Sequence, residues 1–313
     1  MKYAVLNGFL IFTLFIGGCV TPPKFKTELR FDTGLVKSYT FELEKLKPLE
    51  PPFYAEYNLN GKQLVVVAAE HISAVKYPNL LEHPTLKTIE DVFASMRPEI
   101  SIVEGIQPGN ELNSQNIAKA ESCKKSFYLE DCGESFFVIN KARESGTSFL
   151  SGEPTEQGIL KIISEQGYDK KDLVGFYLLR KIPQWKRQKN FKKAEVESLA
   201  KEQFDRYRKR IDPNFAFTFE EFKSWYSGRM STPKDYTDFA NNDPAPHGGL
   251  NATYVQKISN RVTYARDVTL LTRINESLAK HDRVLVVYGG SHFISIEPAL
   301  TKAMGPPMIK KLY

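Results

Sequence analysis

The chain has 313 residues, with 43 lysines and arginines against 37 aspartates and glutamates, a net charge of +6 with histidines neutral. That length supports a sizeable core, as one large domain or a domain with a subdomain. Neither an internal repeat nor a low-complexity tract is present, which excludes solenoid arrays and linker-dominated chains.

The first residues, "MKYAVLNGFLIFTLFIGGCV", place Lys2 ahead of an apolar run around Phe9 to Ile16 and small residues before Cys19. This pattern is a leader of 1–18, too short to count as a spanning helix. The segment Ile16-Gly17-Gly18-Cys19 resembles the lipobox of bacterial lipoproteins. That resemblance implies cleavage before Cys19, lipid on its sulfur, and a membrane-anchored periplasmic protein. Val20 in place of aspartate points to the outer membrane. The alternative is an ordinary secretory leader with a chance cysteine. Residues 19–50 then form the anchor and tether, and 51–313 the folded part.

"FYAEYNL" and "KQLVVVAAE" flank Asn60-Gly61, a tight-turn signal, so the sheet opens with an antiparallel hairpin. "LKTIEDVFASM" has helical spacing and "EISIVEG" reads as the next strand. Cys123 and Cys132 in "ESCKKSFYLEDCGE" form an even pair once Cys19 is lipidated, and read as a structural disulfide in an oxidising compartment. Zinc motifs more often hold cysteines two to four residues apart.

"SFFVINKARESG" follows as a helix, "TSFLSGEP" as a third strand, and "TEQGILKIISEQG" as a helix starting at Thr155. This is the alternation of a parallel sheet. A helical insert at about 168–240 comes next, with breaks expected at Pro183 and Pro213. It holds most of the basic excess, in "RKIPQWKRQKNFKK" and "FDRYRKRI", interleaved with Trp185, Phe191, Phe204 and Tyr207. These stretches read as solvated faces of helices that bury their aromatics, with no nucleic-acid partner. Contact with anionic membrane or glycolipid is the other reading.

The loop "NNDPAPHGGLN" leads into a long helix, "YVQKISNRVTYARDVTLLTRINESLAK", and then the apolar strand Val284 to Tyr288. Gly289 and Gly290 would end that strand with a tight turn and a close approach of backbone to ligand, leaving His292 at the carboxyl edge of the sheet. The expected fold class is therefore α/β: a mostly parallel central sheet starting with an antiparallel hairpin, flanked by helices, with a large helical insert.

Polar residues stand at four strand ends: Glu70 and His71, Glu104, Glu153, and His292. In parallel strands all emerge along one edge, as a divalent metal site or an acid/base cluster. His247 is either a loop residue in solvent or part of a lid. His83 and His281 flank turns and are expected in solvent.

"VVVAAEHISA", "PEISIVEGI", "GEPTEQ", "YARDVTLLTRI" and "VLVVYGGSHF" resemble, in that order, the signatures of the TraB/PrgY/GumN and Tiki family. The wider superfamily includes erythromycin esterases and the haem-binding lipoprotein ChaN. Gly289 to His292 fits the second of its two glycine-x-x-histidine motifs. Ala68 stands where the first motif has glycine, while Glu70-His71 is similar to the esterase and haem-binding branches.

The resemblance implies that His71, Glu104, Glu153 and His292 belong to the site, and in Tiki-like members such a site supports peptide hydrolysis with a divalent metal, here manganese, cobalt or zinc. The metal would polarise a carbonyl and activate a water whose proton passes to Glu70 or Glu104. Arg266 would stabilise an oxyanion or hold an anionic substrate group, or else pair with a carboxylate to steady the last helix. Two alternatives stand beside this hydrolase of a peptide, ester or small molecule. One is a metal-free esterase-like enzyme with His71 as base and Glu104 orienting it; the other is a ligand-binding lipoprotein, with haem as the candidate ligand.

Overall fold

The structure is a computed structural model and describes residues 29–40, 43, 45–71, 80–109, 114–125, 132–187, 192–240 and 242–313. The leader, Cys19 and Phe191 lie outside the described residues. Strands β1 (Phe53–Leu59) and β2 (Lys62–Ala69) pair antiparallel, with Leu59 opposite Lys62. Asn60 and Gly61, at φ 51° and 79°, make the two-residue turn whose twist matches such strands.

Helix α1 (Pro84–Met96) starts with proline in its first turn and buries Leu86, Ile89, Val92, Phe93 and Met96 along one stripe. After β3 (Ile100–Val103) come α2 (Ser114–Lys125) and α3 (Glu134–Glu144). The expected disulfide joins Cys123 to Cys132, both buried. By loop-closure entropy, a cross-link over a separation of 9 residues contributes about 2–3 kcal/mol. Strand β4 (Ser148–Ser151) precedes α4 (Glu156–Ser164), whose first turn is capped by Thr155 as its sequence predicts.

The insert follows as α5 (Lys170–Lys186), α6 (Val196–Ile211) and α7 (Phe219–Arg229). The long helix α8 (Tyr254–Lys280) leads to β5 (Arg283–Gly289), α9 (Gly290–Met304) and a short β6 (Met308–Lys310).

The fold class is α/β as expected: the described strands form a six-stranded sheet in the order β4-β3-β5-β2-β1-β6. Pairings β2 with β5, β5 with β3 and β3 with β4 are parallel, and β1 and β6 pair antiparallel beyond them. Alternate residues go to opposite faces. Val65, Val67, Val103, Leu285 and Val287 pack against α1 and α3, while Leu64, Val66, Ile102, Val284 and Val286 pack against α8 and α9.

One helix ties the insert to this sandwich. The 27 residues of α8 span about 40 Å at 1.5 Å per residue. Val255, Ile258, Val262 and Ala265 on its first half join the aromatic core of α5, α6 and α7, with Ile159 and Ile163 of α4. Leu270, Leu271, Ile274 and Leu278 on its second half belong to the core of the sheet. Arg266 and Asp267 sit where α8 passes from one core to the other.

Three local expectations change. Pro183 does not break the insert, because it falls in the last turn of α5, where the only helical donor it removes is the N–H that would reach Leu179. Pro213, by contrast, does follow the end of α6. His83 is buried rather than solvated: its Nδ1 accepts the Thr85 N–H at 3.1 Å and caps α1. His281 is half-buried at the end of α8.

Candidate functional site

The parallel registers set Ala69 beside Gly289, and Val103 beside both Val287 and Ser151. The residues just after these strand ends therefore meet along one edge. Glu104 leaves β3 ahead of Gly105, whose φ of 79° turns the chain and aims its N–H at Glu153, 2.9 Å from Oε1. Ser135 Oγ donates to the Glu104 carbonyl at 2.7 Å and fixes that corner.

Both carboxylates close on Arg266. Its Nε donates to Glu153 Oε2 at 2.8 Å and its Nη2 to Glu153 Oε1 at 2.7 Å and Glu104 Oε1 at 2.6 Å. The second Glu104 oxygen accepts the Gly289 N–H at 2.7 Å. All three side chains are largely shielded from solvent, at 14% exposure for Arg266, 12% for Glu104 and 13% for Glu153. Burial alone would raise both carboxyls; the Arg266 charge outweighs it, aided at Glu104 by His292 and His71, and holds both below the usual range. Burial likewise opposes the Arg266 charge, but Glu153 and Glu104 keep its pKa well above the ordinary value. Of the roles expected for Arg266, the pairing with carboxylates is present in the fold. Its Nη1 makes no hydrogen bond to a described residue.

The two histidines are built alike. His292, in the first turn of α9, donates from Nδ1 to Asp267 Oδ1 at 2.5 Å, and its Nε2 stands 3.7 Å from Glu104 Oε1. Its ring meets Tyr288 edge-on at 5.1 Å. His71, after β2, places Nδ1 2.7 Å from Glu134 Oε1 in the first turn of α3. A carboxylate at Nδ1 assigns the proton there, so each neutral ring offers the Nε2 lone pair. Asp267 is fully buried; burial pushes its carboxyl up, and His292 offsets only part of that.

His71 is raised to about 9, first by its Glu134 hydrogen bond, against the opposing effect of burial and with help from Glu104. Its side chain is nonetheless 67% exposed, so the opposing effect of burial is small and the ring faces the mouth of the site and not the interior.

Gly289 earns its place by close approach. A Cβ there would lie 3.2 Å from His71 Nε2 and 3.4 Å from Glu104 Oε2, so a side chain would crowd both groups. Gly290 is needed for packing, since its Cβ would lie 2.6 Å from Pro51. Gly289 is not left-handed, at φ −56°, so the turn expected from this pair is a direct passage of strand into helix.

Two chambers open on this edge. One, of about 260 Å³, is lined by His71, Glu104, Arg266, Ser291 and His292, with Phe176, Arg180 and Arg187 of the insert region opposite. The other, of about 390 Å³, is lined by Glu104, Glu153, Tyr177, Arg180, Tyr207 and Arg210. They share Glu104, Arg266, Val262, Arg180 and Gln184. The basic insert therefore roofs the site. Phe204 and Tyr207 are buried inside it, as expected for helices that hide their aromatics.

Pro244, Ala245 and Pro246 border the first chamber, and His247 is not among its lining residues. Its Nδ1 accepts the Gly249 N–H at 3.2 Å. Glu70 lines neither chamber; its backbone N–H and carbonyl both bond Thr85 Oγ1, at 3.2 and 2.9 Å.

The expected metal donors His71, Glu104, Glu153 and His292 share this edge, but Arg266 occupies both oxygens of Glu153 and one of Glu104. A metal at those carboxylates would have to displace a buried guanidinium, so as folded they fit a cation already supplied by the chain. Among the described residues no group of three or more His, Cys, Asp or Glu is arranged to hold a metal ion. Sequence reasoning missed Glu134, the role of Asp267, and Arg180. No family model, curated protein or solved structure matches the chain, and the functional reading rests on the geometry of this edge.

Proposed function

We propose that the protein is a metal-independent hydrolase of ester or amide bonds, of the kind its esterase-like motifs suggest, anchored through Cys19 at the periplasmic face of a membrane. The observation that carries the chemistry is the pair of imidazoles, each held at Nδ1 by a carboxylate and each lining one chamber beside Arg266. The Cys123–Cys132 disulfide suits an oxidising compartment. No described helix is long and apolar enough to cross a membrane.

In this reading His292 Nε2 takes a proton from water as its oxygen attacks the substrate carbonyl, and Asp267 and Glu104 stabilise the imidazolium that forms. The developing oxyanion is met by the remaining N–H groups of Arg266. Protonated His71 donates to the departing alcohol or amine, and solvent returns the proton from His292 to His71. Glu104 and Glu153 act by holding Arg266 in place, which replaces the role of Glu104 as orienter of His71; Glu134 takes that role.

Full-length protein in detergent, stripped by exhaustive chelation, is expected to keep its activity on chromogenic esters or peptide anilides. Activity lost on chelation and restored by manganese, cobalt or zinc would instead favour the metal-dependent version. That second reading has one observation behind it: histidines bonded at Nδ1 to carboxylates are the usual outer support of metal ligands.

The acid role of His71 sets a pH dependence. The proton is needed on the ring, so kcat/KM should fall as pH rises through about 9. Glu134→Gln removes the largest cause of that elevation and should bring the alkaline limb down toward the ordinary histidine value of about 6.5. A limb that stays in place in Glu134→Gln would remove His71 from the acid role.

A further inference from the structure

Among the described residues, Arg180 is a cation of the site for which no hydrogen bond or ion pair is formed. It lies on α5, in the roof, and lines both chambers at their junction. Its neighbours are matched. Arg266 is held by Glu104 and Glu153, and Arg210 bonds Glu156 with 2.9 Å between Nε and Oε1 while stacking over Tyr177 and Tyr207. Arg180 makes no hydrogen bond or ion pair to any described residue, although its side chain is open to the space the chambers share.

A guanidinium in such a place is under stress. The roof packed around it, and then repulsion from Arg266, push the Arg180 pKa down, and the attraction of Glu104 and Glu153 offsets this only in part. Because the side chain itself is exposed on the chamber side, that stress is modest and the open donors are the main feature. Those two carboxylates are committed to Arg266 and do not reach Arg180. Five N–H donors in a planar fork, unused and facing a cavity, are matched by an oxyanion that takes two parallel hydrogen bonds. The catalytic imidazoles open on the first chamber, and the Tyr177–Tyr207–Arg210 wall bounds the second.

We propose that the substrate carries an oxyanion, a carboxylate or a phosphate, which Arg180 binds at the junction of the two chambers. The scissile bond then lies in the chamber of His71 and His292, and the rest of the molecule extends along the tyrosine wall. The word substrate rests on the hydrolase reading; anion binding itself does not, and it is measured without turnover.

The test is calorimetric titration of full-length protein in detergent, at low ionic strength, with inorganic phosphate and separately with acetate. Wild type is expected to bind at least one of them, and the tighter of the two identifies the oxyanion. Arg180→Gln should weaken that binding at least tenfold, and Arg180→Lys should restore part of it. Arg206→Gln, the same charge change on an exposed face of the insert outside both chambers, should bind as wild type does.

Because Arg180 is exposed and makes no hydrogen bond or ion pair to a described residue, Arg180→Gln should fold, with a Tm close to that of the parent. In the same variants kcat/KM for an anionic ester should fall more than for its neutral analogue. No binding of either anion by wild type at millimolar concentration, or equal binding by folded Arg180→Gln, would overturn the assignment and leave the hydrolase reading untouched. Anion binding lost in Arg180→Gln, in a protein that hydrolyses no ester or amide, would sink the hydrolase reading and keep the anion site.

Discussion

Asp267→Asn is expected to lower kcat/KM by about 10³- to 10⁴-fold, and His292→Ala by a similar factor, with KM changed far less in both. The carboxylate accepts the Nδ1 proton of His292 at 2.5 Å and so leaves the Nε2 lone pair free for water. An asparagine of the same shape can present its NH₂ group to Nδ1. That turns the ring to the other tautomer, in which Nε2 carries the proton and the base is lost.

The two variants separate chemistry from folding. His292 is 4% exposed and packs on Tyr288, so alanine there opens a cavity and strands a buried carboxylate. Asp267→Asn conserves volume and leaves no buried charge, and its denaturant midpoint should stay near that of wild type. Asp267→Asn within a fewfold of wild-type activity would show that His292 is not the base.

Much of this edge is legible in the sequence because a parallel sheet leaves little choice. Apolar runs ending in Glu70-His71, Glu104, Gly152-Glu153 and Gly289-Gly290 put their polar successors at the same edge whatever the order of strands. The order itself, with β5 between β2 and β3, is set by packing of whole faces and leaves no local mark. Glu134 begins α3 close to Cys132, and nothing in "CGESFF" says that its carboxylate meets a histidine 63 residues away. Asp267 stood in plain view beside Arg266, but only the helical turn of α8 shows that neighbouring residues serve different partners, Glu104 and Glu153 for one and His292 for the other.

Arg180 was hidden by its company. In a stretch as basic as "RKIPQWKRQKNFKK" each cation reads alike, and only the fold shows which faces a cavity and which faces water. Proline misled for a related reason. Its cost depends on which helical hydrogen bond is removed, and near the end of α5 that cost is small enough for tertiary packing to absorb. His83 shows the same limit in a turn, where a ring that caps a helix and one that faces solvent have the same sequence neighbourhood.

Arg266→Met is expected to destabilise the fold by about 3–5 kcal/mol, the usual cost of removing one partner from a buried ion pair. The loss comes from Glu104 and Glu153, left in a site built around a cation that is gone. The pH dependence that these two carboxyls contribute should change sign with it. In wild type the folded carboxyls titrate below the unfolded glutamate value of about 4.3, so their stabilisation is present above that pH and is lost as pH falls through the folded values. In Arg266→Met the burial that Arg266 outweighed acts with less opposition and moves the folded values up. If they pass the unfolded value, these two carboxyls add stability on acidification from neutral pH, where in wild type they remove it. His71 and Asp267, both raised, add stability on acidification in either protein, so the difference between the two curves reads the carboxyls. Urea midpoints across pH 4 to 8 read both slopes. Adding Glu104→Gln and Glu153→Gln to Arg266→Met should recover most of the stability, because the destabilising charges leave with their partner, and should recover none of the activity. A single Arg266→Met variant within about 1 kcal/mol of wild type at neutral pH would mean that the three charges are not held as a dry cluster, and that the edge owes its shape to the two histidine–carboxylate pairs alone.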